Sequence, residues 1–157
     1  MREVTVSRTI DVSPATLQKR LDPATIIEAE GSFTVVDIDE DETTGATTVV
    51  ASGPGMQLPL EFEEREDAIY YTQAGEQGPF SHMETWLEFE SMAERMQGQD
   101  QQQGRQQDPQ QQHSQTHLTL RSAVSLAAPL PFGDRIAAWK RKGELQRALE
   151  TFAEELE

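Results

Sequence analysis

At 157 residues the chain has the size of one domain with a single substantial core. Its 13 Lys and Arg against 28 Asp and Glu give a formal charge of -15, which excludes a nucleic-acid binder that relies on counterion release from phosphates. With no Cys there is no disulfide frame, thiolate zinc site or cysteine nucleophile, and three His leave little for histidine-based metal chemistry, so no cofactor is expected.

From the N-terminus, Val4, Val6 and Ile10 alternate with Glu3, Thr5, Ser7 and Thr9, the period of a half-buried strand. Ser13-Pro14 and Asp22-Pro23 each place a cap before a proline at the first helical position, predicting short tandem helices over 14–21 and 23–29 that end at Gly31. Four strands follow, over 33–38, 47–52, 58–65 and 68–74, separated by an acidic turn at 39–45, by Gly53-Pro54-Gly55 and by Glu66-Asp67. The sixth and seventh strands span 81–90 and 116–126. Between them, 11 of the 19 residues over 97–115 are Gln and none is aliphatic or aromatic, so this segment reads as a disordered loop insertion within one domain spanning 1–157.

From about Gly133 to Leu156 a helical pattern runs without proline, long enough to cross the sheet. Its apolar positions are Ile136 and Trp139, then Leu145, Leu149, Phe152 and Leu156, with the buried face expected to bend or rotate at Gly143.

The acidity is spread along the chain, and the cations are 10 Arg against 3 Lys. Unbalanced charge of this size repels itself, and molar salt, with a Debye length of about 3 Å, screens the repulsion. This reads as an adaptation to the cytoplasm of an extreme halophile; an ordinary acidic protein is the alternative. The opening residues lack the pattern of a secretory signal and no apolar run reaches the roughly 20 residues of a membrane span, so a cytoplasmic protein without stable membrane insertion is expected.

A two-residue turn at Glu66-Asp67 sets Arg65 opposite Ala68, Phe62 opposite Tyr71 and Glu64 opposite Ile69, so Leu60, Phe62, Ile69 and Tyr71 share one face. In the sixth strand Met83, Thr85, Leu87 and Phe89 form one side, and in the seventh Leu118, Leu120, Ser122, Val124 and Leu126 do. Both apolar faces belong against the long helix.

The opening VTVSRTIDVSPATLQKRL, the order of elements and the closing KRKGELQRALETFAEELE resemble the START-like, or SRPBCC, superfamily, which includes polyketide cyclases and lipid-transfer domains. The resemblance implies an α+β helix-grip fold: a seven-stranded curved antiparallel sheet around a long C-terminal helix, with two short helices after strand one. It also implies an apolar cavity between sheet and helix for a hydrophobic or amphipathic small molecule. The expected lining is Leu60, Phe62, Ile69, Tyr71, Thr85, Leu87, Phe89, Leu120, Ser122, Ile136 and Trp139, with Gln73 a further polar group. Arg135 and Lys140 would form a cationic rim for an anionic head group. The alternative is a cyclase or aromatase-like enzyme in which Tyr71 or a buried Glu64 moves protons. A third reading is an assembly module using Trp86 and the glutamine segment, with oligomeric state left open.

Other candidates are weak. Asp37, Asp39 and Asp41 resemble the start of a calcium loop, but Glu42 stands where Gly is needed and Thr48 where a bidentate Glu is needed. His82 and His117 fall at opposite ends of one hairpin, and His113 lies in the glutamine segment. Trp86, between Glu84 and Glu88, reads as a cation–π partner of Arg121 or a neighbour of Thr119, or, if unpartnered, as a docking residue. Arg135, Lys140, Arg141 and Lys142 gather near the helix start while Glu150, Glu154, Glu155 and Glu157 gather at its end, opposing the helix dipole, so the acidic strands are the expected partners of these cations.

Overall fold

A computed structural model of the chain describes residues 1–76, 78–97, 114–128 and 130–157. The elements run β1 (Arg2–Ile10), α1 (Pro14–Arg20), α2 (Pro23–Glu30), β2 (Thr34–Glu40), β3 (Thr47–Gly53), β4 (Met56–Arg65), β5 (Ala68–Gln73), β6 (Phe80–Ser91), α3 (Met92–Gln97), β7 (Thr116–Leu126) and α4 (Gly133–Leu156). The strands form one antiparallel curved sheet in the order β1-β7-β6-β5-β4-β3-β2, as expected for a helix grip. The six-residue α3 was not expected, and most of the glutamine segment read as a disordered insertion lies outside the described residues.

Local chemistry accounts for the boundaries. The Asp22 carboxylate accepts the Thr25 backbone N–H at 2.8 Å to cap α2, and Gly31 ends it with φ 84, a left-handed conformation that glycine adopts without steric penalty. The expected register between β4 and β5 is observed, with Phe62 opposite Tyr71 and Arg65 opposite Ala68; Asp67 turns the chain at φ 56.

The concave face of the sheet supplies Leu60, Phe62, Tyr71, Leu87, Leu118 and Leu120 to the core, and Leu17, Ile26 and Ile27 of the short helices close it from the side. On the convex face Trp86 stands opposite Arg121, whose guanidinium lies 4.0 Å from the indole centroid, so Trp86 is a partnered surface aromatic. Nearby, the Tyr70 hydroxyl donates to Glu84 at 2.8 Å. This bond holds the Glu84 carboxyl below its ordinary range, while partial burial pushes the Tyr70 hydroxyl up to about 12.

The helix α4 departs from expectation. Its buried side is Ala138, Arg141, Glu144, Leu145, Ala148, Leu149, Phe152 and Ala153, a continuous stripe at 3.6 residues per turn with no rotation at Gly143. Ile136 and Trp139 are 61% and 79% exposed on the opposite side, so neither faces the interior. The apolar pattern misled because the first half of the buried stripe is built from alanine and a paired arginine.

A Cβ on Gly143 would meet nothing within 4 Å. Glycine inside a helix costs about 0.5–1 kcal/mol relative to alanine. Gly143→Ala is expected to stabilise the isolated chain by that amount, read as a higher denaturant midpoint at low protein concentration.

Candidate functional site

The site is built on one buried arginine. Arg141, from the inward stripe of α4, is 5% exposed and meets Glu30, the last residue of α2, which is 4% exposed. The pair is bidentate, with Nη1 to Oε2 at 2.8 Å and Nη2 to Oε1 at 3.1 Å. Nη1 also donates to Glu144 Oε1 at 3.5 Å, Nη2 to Thr85 Oγ1 at 2.9 Å, and Nε to Ser122 Oγ at 3.1 Å. The Tyr71 hydroxyl accepts from Arg141 Nη2 and donates to Glu30 Oε1. Thr85 and Ser122 bond each other at 2.8 Å, and Ser122 continues to the Glu84 carbonyl at 3.0 Å. Among the described residues no buried side-chain polar atom lacks a partner.

Each strand places its polar group by simple alternation. Tyr71 stands opposite Thr85 and Thr85 opposite Ser122, so one row across β5, β6 and β7 faces α4 with hydroxyls where the rows beside it carry aliphatic groups. Phe62 stacks on the Tyr71 ring with centroids 4.5 Å apart, fixing the orientation of the hydroxyl.

The electrostatics follow from burial. Desolvation opposes the charge of Arg141, but the Glu30 carboxylate, assisted by Glu144, outweighs it and holds the guanidinium above its ordinary range. Burial pushes the Tyr71 hydroxyl strongly upward, against the pull of Arg141, so this group keeps its proton and serves as a donor, not a base.

Beside this cluster lies a cavity of about 20 Å³, lined by Ile27, Phe33, Leu58, Leu60, Phe80 and Met83 with Glu30, Tyr71, Arg141 and Glu144 as its polar wall. That volume is room for about one water. At this place the expected apolar cavity between sheet and helix is reduced to that small space, because the guanidinium and its partners occupy the middle of the grip.

Of the expected lining residues, Leu60 and Tyr71 border the cavity. Phe62, Ile69, Thr85, Leu87, Phe89, Leu120 and Ser122 are buried around it without bordering it. Gln73, partly exposed, bridges the β5–β6 connection instead, its amide donating to the Phe80 carbonyl at 2.8 Å. Ile136 and Trp139 point to solvent, as does Glu64, which is therefore no buried acid. Arg135 and Lys140 are exposed and away from the cavity; Arg135 borders a separate open groove with Arg2, Leu126, Leu130 and Phe132. Arg141 finds its charged partners on α2 and on its own helix, while the strands supply only hydroxyls to it.

Sequence reasoning missed Glu30, Arg141 and Glu144. One signal was present: a glutamate in the last turn of α2 opposes the helix dipole, and Arg141 falls three residues after Ala138 and four before Leu145 on the core-facing stripe.

The calcium-loop reading also finds no support. The Asp41 carboxylate accepts the Thr43 backbone N–H at 2.9 Å within its turn, and among the described residues no group of three or more metal-ligating side chains gathers. His82 pairs with Ser125 and His117 with Glu90, at opposite ends of the β6–β7 hairpin.

Seven antiparallel strands curled around one long terminal helix, with two short helices after the first strand, make this the START-like helix-grip fold. No protein-family model and no curated protein matches the sequence. Among solved structures the chain is similar to a START superfamily protein from Mycobacterium smegmatis, at 12% identity over 99% of both chains with a TM-score of 0.63. It is also similar to a protein from Thermus thermophilus, at 16% identity over 96% of this chain and 99% of the other, TM-score 0.57. The Zhui aromatase/cyclase from a Streptomyces species matches at 14% identity over 96% of this chain and 85% of the other, TM-score 0.52. At such identities the likeness is one of fold. Among the described residues no helix is long and apolar enough to cross a membrane.

Proposed function

We propose that the chain binds a small, mostly apolar molecule carrying one hydrogen-bond donor, at the cavity between α2, β4, β5 and α4. The observation that carries this reading is the unequal saturation of the polar wall. Arg141 donates to six acceptor contacts, on Glu30, Glu144, Tyr71, Thr85 and Ser122, and has no donor left for an anionic head group. Glu144 receives one long bond of 3.5 Å from that guanidinium and keeps acceptor capacity toward the cavity. A hydroxyl or amine suits it; a second carboxylate does not.

Admission requires a larger space than about 20 Å³. Phe33 and Phe80 line the cavity and are both partly exposed, so their outward rotation would open it along Leu58 and Met83. Burial of the guest's apolar surface, at about 25 cal/mol per Å² before entropy losses, would drive the opening. The START-like fold supports a ligand-binding role in general, and the aromatase/cyclase neighbour keeps a catalytic version in view. For catalysis Glu64 is out of place because it is exposed, and the Tyr71 proton is already donated to Glu30.

Titration calorimetry with 1-decanol and with decanoate tests the reading. Decanol is expected to bind at least about tenfold more tightly than decanoate, and Leu58→Trp, which fills the mouth, to abolish both. Failure of decanol to bind, together with no small-molecule adduct in a native mass spectrum of the purified chain, would overturn it.

A further inference from the structure

Among the described residues, eight large hydrophobic side chains are exposed, and four of them fall in one short segment: Leu130 at 62%, Phe132 at 71%, Ile136 at 61% and Trp139 at 79%. Concentration of this kind on a chain with a formal charge of -15 is not the scatter expected of ordinary surface residues. Phe132 is also held at φ 59, a conformation disfavoured for a side chain of its size, with its ring turned to solvent.

At about 100° per residue, Ile136, Trp139, Gly143, Glu150 and Glu154 lie along one line of α4, opposite the buried stripe, with Phe132 at the residue that precedes the helix. This outward face is polarised. Its first half is apolar and flanked by exposed Arg135, Lys140 and Lys142; its second half carries exposed Glu150 and Glu154, with Arg147 at their side, its Nε donating to the Glu30 carbonyl. Among the described residues Lys140, Lys142, Glu150 and Glu154 have no ion-pair partner within the chain. Midway stands Gly143, where a side chain would meet nothing within 4 Å, so packing inside the chain does not call for glycine.

We infer that the occupant of this face is a second copy of the same chain, with the two α4 helices antiparallel about a two-fold axis near Gly143. That arrangement sets Arg135 and Lys140 of each copy against Glu150 and Glu154 of the other, and covers Ile136 and Trp139 twice. Glycine at the crossing lets the two helices approach more closely than the usual 8–10 Å between axes. A lipid surface fits less well, because Glu150 and Glu154 on the same face would be pressed against it.

Sedimentation velocity over a wide concentration range, at low salt and in molar KCl, tests the pairing. The wild type is expected to dimerise, and Trp139→Glu, at a position already in solvent, to weaken the dimer on the order of tenfold or more while leaving the circular dichroism spectrum unchanged. Reversing Arg135 and Lys140 to Glu is expected to give monomers, and adding Glu150→Lys and Glu154→Lys to the same chain to restore the dimer. A monomeric wild type, a dimer indifferent to Trp139→Glu, or charge reversal without rescue would each overturn the inference. So would a monomer that pellets with phosphatidylglycerol vesicles through Trp139.

Discussion

Arg141→Met is expected to destabilise the chain by about 3–5 kcal/mol, because it leaves the Glu30 carboxylate buried without its charge partner. Glu30 is 4% exposed and would keep only the Tyr71 hydroxyl on Oε1 and nothing on Oε2 from this cluster. For a domain of this length the loss corresponds to a fall in Tm on the order of 10 °C. The informative control removes the whole cluster. Replacing Glu30, Arg141 and Glu144 by Met and Tyr71 by Phe leaves Thr85 and Ser122 bonded to each other at 2.8 Å, with no orphaned charge in the cluster. Buried ion pairs often contribute little relative to apolar groups of similar volume. The quadruple variant is therefore expected to recover most of the lost stability while losing the donor-selective site, whose acceptor is Glu144. Urea unfolding of the single and quadruple variants, with decanol titration of the quadruple, checks both halves.

Phe152→Ala is expected to cost about 3–5 kcal/mol, whereas Trp139→Ala, measured at a concentration where the chain is monomeric, should change stability by no more than about 0.5 kcal/mol. The two aromatics belong to the same helix, yet Phe152 is 1% exposed and Trp139 79%. Deletion of the Phe152 ring opens a void beside Ala148 and Ala153 of the same buried stripe, whose small side chains cannot close it. A pair of urea curves decides this; comparable shifts for both variants would mean that α4 is rotated from the position described.

That contrast shows where the sequence was legible. Strand alternation and turn chemistry place every strand within a few residues, because Phe62, Tyr71, Thr85 and Ser122 obey a period of two that a single slip would turn outward. The Asp22-Pro23 signal gives α2 through its side-chain cap, and Pro14 starts α1 although the Ser13 hydroxyl bonds Thr16 Oγ1 and caps no backbone N–H. On α4 the hydrophobic pattern fails because it assumes that apolar side chains face inward. There the inward positions include Arg141 and Glu144, whose burial depends on a carboxylate from α2, while Ile136 and Trp139 face out. A pairing over 111 positions of sequence leaves only the misplaced charge at each end as a local trace, and neither end names the other. The candidate site was visible in its strand-borne half, Leu60 and Tyr71, and hidden in the half that needs two helices to meet.

The same long separation bears on how the protein assembles. Strands β2 to β6 pair with their immediate successors in sequence and can zip as the chain lengthens during synthesis. The Glu30 carboxylate and the Tyr71 ring must wait in water until the last helix emerges with Arg141, and β1 likewise waits for β7. Closure of the grip therefore has to follow synthesis of α4, and a ribosome-bound chain halted before Arg141 is expected to hold its strands without their latch.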